Sequence, residues 1–406
     1  MRYADLTLAY TETSGGIRTY IDQKRKYLRE QTDATHLLVI PGESDSVTEG
    51  DRQVTWTIAS AMIPGCEPYR FFWRPDKLLA ALRSLQPDVI ELGSYFVSPW
   101  AAFRYREEQA AAGKGCVVGG YFHTDLANAY VGSPIRDLMK QNISGWSESL
   151  AEVGIKLGDV LTTGASKHFG AIFEKCDRMF AATEAQAASL STYGIREVSI
   201  VPLGTDLEHF HPSKRSEELR SQFDADAETI ILLNAGRLDS EKHVHTLLDA
   251  FERLDLPDAR LVLSGEGPER AALTQRARTM RGVHILGYER NTDALARLYA
   301  SSDIYVTAGP HETFGLAVVE AQASGLPVVG VRAGALIERV PEEVGYLSPV
   351  DDPDAMAANI KRTYKNLPQL RTASRQHVEQ KGYSWNQTFK TLLGHYGEML
   401  EDPNHG

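Results

Sequence analysis

Short runs of β-branched and aliphatic residues alternate with segments of helical period along nearly the whole chain. That alternation constrains the fold more than any other feature. A strand, a covering helix and a further strand form the repeating unit of a parallel sheet, so the pattern predicts an α/β protein. In the first half, strands are expected at Leu6–Tyr10, His36–Ile40, Val54–Ile58, Val89–Leu92, Val117–Phe122, Val160–Thr162, Met179–Ala182 and Ser199–Val201. Helices are expected at Lys77–Ser84, Ala101–Ala112, Lys167–Glu174 and Ala185–Tyr193. Ile17, Ile21, Lys24 and Leu28 also step at helical spacing, and Lys24 alone interrupts the apolar stripe.

The polar, turn-rich stretch around Phe210–Arg215 marks a boundary, and the second half repeats the same grammar. Its expected strands are Thr229–Ala235, Ala259–Ser264, Val283–Leu286, Asp303–Thr307, Pro327–Val331 and Gly345–Ser348. Its helices are expected at His245–Arg253, Pro268–Ala277, Asp293–Ala300, Phe314–Ser324 and Trp385–Leu400. The full 406 residues exceed what one core usually organises. Two α/β domains facing a cleft are therefore expected, at 1–207 and 208–384, with a terminal helix at 385–406.

Composition narrows the class. No apolar run approaches the ~18 residues of a membrane-spanning helix, and Asp5 interrupts the N-terminus before a secretory apolar region can form. Cys66, Cys116 and Cys176 are odd in number and widely spaced, which fits a reducing cytosol rather than a disulfide framework. A cytoplasmic protein is expected. The net charge of −11 argues against nucleic acid as a partner. Two local basic stretches stand out, Lys24-Arg25-Lys26 with Arg29, and the aromatic-arginine run Tyr69–Arg74. Each is by default a solvated helix face or a packed loop; together they motivate peripheral contact with the inner face of a membrane.

Sheets of this kind bind ligands at the carboxyl ends of their strands, often with a helix N-terminus facing a phosphate. Gly15-Gly16 follows the first strand and lets the backbone approach an anion, although a plain turn explains it as well. It is not a GxGxxG fingerprint, so nothing points to a dinucleotide. Arg237 and Lys242, on the loop Gly236–Lys242, suit a diphosphate that gains charge as a bond breaks. A surface loop capped by Asp239 or Ser240 fits the same spacing. The turn Gly265-Glu266-Gly267-Pro268 is explained by structure alone. The segment Ala308–Ala321 is richest: Glu312 in its loop, Phe314-Gly315-Leu316 at the helix start, and Glu320 among Val318, Val319 and Ala321. A carboxylate in apolar company needs a partner, which a ligand or a salt bridge would supply. His123 and Asp125 end a first-domain strand and could meet a substrate hydroxyl and a proton. No His, Cys and carboxylate set has metal-ligand spacing, so no metal is expected.

These residues resemble the retaining nucleotide-sugar glycosyltransferases of family 4, which have the GT-B fold. The resemblance rests on Gly236-Arg237 with Lys242, on Gly265–Pro268, on Glu312 and Glu320 with seven residues between them, and on Gly325-Leu326-Pro327-Val328-Val329. It covers about Val201 to Val350, and extends more thinly to Gly15-Gly16 and His123-Thr124-Asp125. It implies two Rossmann-like domains, the first binding acceptor and the second binding donor, with the segment around Trp385 returning to the first.

By position, the resemblance makes Arg237 and Lys242 the diphosphate cations and Gly315-Leu316, after Phe314, the backbone donors to the same phosphates. Glu320 would hold the ribose hydroxyls, Glu312 the donor sugar and Tyr288 the base. His123 would face the sugar, Gly16 would admit phosphate or acceptor, and Asp125 would lie on the acceptor side. His311 stands where many members carry serine or glycine. A hexosyl group would pass from GDP-mannose or a UDP-hexose to a hydroxyl of a lipid, glycan or small molecule, with retention and without a cofactor. Asp125 is the one first-domain candidate for a nucleophile, so same-face substitution, with the departing diphosphate helping to deprotonate the acceptor, is preferred over a covalent route. Two rivals remain: a GT-B-like sugar-nucleotide epimerase, and a silent nucleotide-sugar-binding accessory protein. Acceptor, linkage and oligomeric state are not legible in the sequence.

Overall fold

The computed structural model describes residues 1–11, 15–63, 69–123, 164, 166–256 and 258–402. Its chain divides into two compact units, Met1–Val201 with Phe389–Gly406, and Pro202–Thr388. Asp125 and the strand expected at Val160–Thr162 lie outside the described residues.

The first unit is built on an eight-stranded sheet in the order β3-β4-β2-β1-β5-β6-β7-β8. Its strands are β1 (Arg2–Leu6), β2 (Thr35–Gly42), β3 (Ser46–Gly50), β4 (Gln53–Ala59), β5 (Val89–Leu92), β6 (Val117–Tyr121), β7 (Arg178–Ala181) and β8 (Val198–Ile200). Every pairing is parallel except the edge hairpin β3–β4. Helices Gly16–Gln31, Pro75–Leu85, Ser98–Ala111 and Glu184–Thr192 lie between strands, as the alternation predicts.

Two strands differ from expectation. The first runs Arg2–Leu6 rather than Leu6–Tyr10, because Tyr3–Leu6 pairs with both β2 and β5. β3 is exposed along its whole length and exists through its pairing with β4, so it has no apolar signature to read.

Asp5, Lys24 and Glu91 explain why β1 is hard to recognise. The Lys24 side chain is fully buried, and its Nζ lies 2.9 Å from Asp5 Oδ1 and 2.7 Å from Glu91 Oε1. Lys24 is therefore not part of a solvated basic face, and the expected patch Lys24-Arg25-Lys26 loses its first member. Asp5 also meets His36 Nε2 at 2.6 Å. Glu91 accepts from the hydroxyls of Tyr3 at 2.5 Å, Tyr20 at 2.8 Å and Tyr396 at 3.2 Å. Burial works against ionisation of Asp5, but Lys24 and His36 outweigh it and hold the carboxyl at about 2. Burial pushes Glu91 up, with Lys24 opposing. Tyr396 belongs to the helix Trp385–Glu401, whose residues from Phe389 onward pack in this unit.

The second unit carries six parallel strands in the order β11-β10-β9-β12-β13-β14. They are β9 (Ile230–Ala235), β10 (Ala259–Ser264), β11 (Val283–Leu286), β12 (Ile304–Val306), β13 (Val328–Val331) and β14 (Gly345–Ser348). The order reverses between β9 and β12, so the loops leaving those two strands flank the crevice in which such sheets take ligands. Asp303 fixes this junction. Its carboxylate accepts from Arg220 at 2.8 Å, Arg371 at 3.0 Å, Arg215 at 3.2 Å and the backbone N–H of Ile231 on β9 at 2.9 Å. Helices beyond those expected include the long Pro353–Lys365 and Leu367–Gln380 and the short Glu217–Ser221 and Leu336–Arg339.

Replacing Lys24 with methionine removes the one ammonium between two buried carboxylates. Breaking a buried pair this way costs about 3–5 kcal/mol. Urea unfolding of Lys24→Met should show an earlier first-unit transition, partly restored by adding Asp5→Asn. A midpoint equal to that of the wild type would contradict this account.

Candidate active site

In the second unit, the loops after β9 and β12 bring together much of the residue set expected to bind a donor. After β9, the Gly236 N–H donates to Ser264 O at 3.0 Å and the Leu238 N–H to Glu266 O at 2.9 Å. A Cβ on Gly265 would collide with Gly236 O, and one on Gly267 with Leu238 O. The glycine turn therefore exists to let the cation-bearing loop lie against it. That loop presents Arg237, which is exposed and whose Nε lies 2.8 Å from Asp239 Oδ2. Lys242 follows in the single 3-10 turn Ser240–Lys242.

Lys242 Nζ lies 3.1 Å from Glu312 Oε2, on the loop after β12. Burial pulls the ammonium pKa down, but the carboxylates of Glu312, Glu241 and Asp239 together outweigh it and the net shift is upward. Lys242 is thus a charged, half-buried cation. The next turn leads to Gly315, at φ +84°, which begins the helix Leu316–Ala323 without a side-chain cap or an acidic residue in the first turn. No capping side chain competes for the N–H groups at this helix start, which leaves them to an anion. Phe314, just before it, is buried.

Glu320 lies on the same helix, half-buried. Burial pushes its carboxyl up to about 7, against a hydrogen bond from Tyr299. Tyr299, on the helix Thr292–Ser301, is the partner that a carboxylate among Val318, Val319 and Ala321 requires. Tyr288 is exposed in the loop after β11, one residue past Gly287, whose carbonyl accepts from Ser264 Oγ at 3.3 Å. It follows a glycine that lies against the Gly265–Pro268 turn, where a Cβ on Gly287 would come within 3.4 Å of Glu266 Oε1.

In the first unit, His123 lies two residues beyond the end of β6. Its ring stacks on Tyr121 with centroids 4.5 Å apart and meets Tyr20 edge-on at 4.8 Å. Burial, then the Lys24 charge, lowers its pKa to about 3, so the imidazole is neutral at pH 7. Gly15 and Gly16 are exposed at the start of the helix Gly16–Gln31, and a Cβ on Gly15 would meet nothing. Packing therefore does not demand glycine at 15. Among the described residues no group of His, Cys, Asp and Glu could hold a metal ion, and no helix is long and apolar enough to cross a membrane.

The sequence did not disclose Tyr299, Asp239 as the partner of Arg237, or the Tyr20–Tyr121 platform under His123. Tyr20 offered a signal, one position before Ile21 on the apolar stripe. Several members of the two basic stretches have partners within the protein. Lys24 is buried, Arg25 donates to Thr55 at 2.8 Å, Arg70 pairs with Glu43 at 2.7 Å, and Arg74 pairs with Asp76 at 2.6 Å.

Comparison with known proteins gives the family and the fold. The family described as Glycosyl transferases group 1 matches residues 215–385, and Glycosyltransferase Family 4 matches residues 14–209. A GDP-mannose-dependent alpha-mannosyltransferase of Mycobacterium tuberculosis is 31% identical over 88% of this chain and 85% of its own. One from Mycolicibacterium smegmatis is 30% identical over 98% of both chains. A GDP-mannose-dependent alpha-(1-6)-phosphatidylinositol dimannoside mannosyltransferase of M. tuberculosis is 29% identical over 98% of this chain and 97% of its own. Among solved structures, sucrose-phosphate synthase from Thermosynechococcus elongatus superposes with a TM-score of 0.72 at 21% identity, covering 98% of this chain and 99% of that one. The chain belongs to glycosyltransferase family 4, as a GT-B-fold hexosyltransferase that draws its sugar from a nucleotide-sugar donor.

Proposed function

We propose that the chain transfers mannose from GDP-mannose, with retention of configuration, to a hydroxyl of a glycan or glycolipid acceptor. The observation that carries the donor site is the charged, half-buried Lys242 beside Glu312, placed between Arg237 and the uncapped helix start at Gly315. The GDP-mannose-dependent names of relatives that match nearly end to end support the choice of donor.

In this reading Arg237 and Lys242 exchange their carboxylates for diphosphate oxygens, and their attraction grows as the leaving group gains charge. The N–H groups at the Gly315 helix start meet the same oxygens, and the Glu312 carboxylate turns to the sugar hydroxyls. Glu320 accepts from the ribose hydroxyls, and Tyr288 lies along the base. His123, being neutral, offers a hydrogen bond to a sugar hydroxyl rather than a charge. The departing diphosphate takes up the acceptor proton on the face it leaves, which needs no protein nucleophile. Both cations and both glutamates are present, which favours turnover over silent binding. Any membrane contact would rest on the exposed Trp73 and Trp100 rather than on the basic stretches, since indole rings favour the membrane interface.

Lys242→Ala should lower the rate of GDP release from GDP-mannose by about 10²–10³-fold, as loss of one preorganised electrostatic group does. Circular dichroism should stay unchanged; near-normal turnover would overturn the assigned role.

Glu320 gives a pH signature. Ribose hydroxyls donate to the ionised carboxylate, so binding pulls its pKa down from about 7 and releases a proton. Affinity for GDP should therefore rise as the pH climbs from 6 towards about 7 and level off above that. Calorimetry at pH 7 in two buffers of different ionisation heat should detect the proton, and Glu320→Gln should abolish both effects. A pH-independent affinity in the wild type would remove Glu320 from the ribose site.

A further inference from the structure

Gly315 lies at φ +84°, a conformation that costs glycine little, and its carbonyl accepts from the Val319 N–H of the helix at 3.0 Å. The Phe314 side of the turn needs a restraint from outside the helix. The short helix Leu336–Arg339 supplies that restraint. Arg339 is buried, and its Nε donates to the carbonyl of Phe314, the residue before Gly315, at 3.2 Å. Its guanidinium lies 4.2 Å from the Phe314 ring centroid and 4.6 Å from that of Tyr383. Nη1 donates to the Tyr383 hydroxyl at 2.5 Å. The Arg339 carbonyl accepts from Gln322 Nε2 at 2.7 Å, inside the helix that Gly315 begins.

The preceding turn braces the same loop. The Ala335 N–H donates to Glu312 O at 2.8 Å. A Cβ on Gly334, at φ +53°, would come within 2.6 Å of Glu312 O and 3.0 Å of Pro310 O, so only glycine passes there. One segment therefore grips the loop at Glu312 and at Phe314, and the helix at Gln322. A planar guanidinium can stack on rings and donate from its edge together; an ammonium cannot.

We infer that Arg339 is a positioning residue for the donor diphosphate. It fixes the Phe314–Gly315 peptide so that the helix-start N–H groups point at the phosphates while Glu312 stays beside Lys242. This rests on the donor-site reading above.

The test is calorimetric affinity for GDP and for UDP, with melting temperature recorded alongside, in Arg339→Met, Arg339→Lys and Ile360→Ala. Ile360 is buried on the helix Pro353–Lys365, so Ile360→Ala loosens the same unit from a helix that carries none of the donor-site residues. Arg339→Met should bind the preferred diphosphate on the order of tenfold more weakly, the scale seen when a supporting group is lost from a ligand site. Arg339→Lys should fall between it and the wild type, and Ile360→Ala should keep wild-type affinity despite a lower melting temperature. Affinity in Arg339→Met no lower than in Ile360→Ala would overturn the inference. Should Arg339→Met not fold, Tyr383→Phe, which removes one hydroxyl that touches Arg339, must weaken binding, and unchanged affinity there overturns it equally. A wild type that binds neither diphosphate would overturn the donor site itself and this inference with it, whereas binding with indifferent variants sinks the inference alone.

Discussion

The buried ammonium of Lys24 is the interaction on which the first unit depends. A lysine with no exposed side chain survives only if opposite charge and hydrogen bonds replace its water. Asp5 and Glu91 supply the charge, and they sit on β1 and β5, neighbours in the sheet. Three tyrosine hydroxyls then complete Glu91. One of them, from Tyr396, ties the C-terminal helix to the centre of the sheet. Gly119 on β6 is glycine for the same reason, since a Cβ there would collide with the Tyr396 hydroxyl. The cluster thus joins strand order, helix docking and the tyrosine floor beneath His123.

This dependence also decides what a sequence can show. The strands Ala259–Ser264, Val283–Leu286 and Gly345–Ser348 have the boundaries their residues predict. Strands in parallel sheets give short, nearly continuous apolar runs between turn residues, and that signal is local. β1 breaks the rule because Asp5 looks like a terminator until a lysine nineteen residues away neutralises it. Lys24 likewise looks like a solvent residue until its carboxylates are known. The arginines of Tyr69–Arg74 look like a basic patch until Glu43 and Asp76 are seen beside them. In each case the missing fact is the partner of a charge, which position along the chain does not give.

The candidate active site follows the same division. The two loops could be placed from glycines and charges at strand ends, because strand order dictates where such loops gather. Tyr299 beneath Glu320 and Arg339 behind Phe314 could not, because each acts from a different helix through a side chain whose type alone suggests nothing.

The charge pairing in those loops carries a further consequence. Arg237 faces Asp239 and Lys242 faces Glu312, so the site proposed for the diphosphate holds no large uncompensated positive charge before donor arrives. A diphosphate must therefore compete with two carboxylates, and its net gain is smaller than two bare cations would give. A donor sugar changes that balance in the proposed site, because its hydroxyls give the displaced Glu312 new hydrogen bonds. A free diphosphate leaves Glu312 without them. The pairing thus favours the intact nucleotide sugar over the spent nucleotide, and it does so through the carboxylate rather than through either cation.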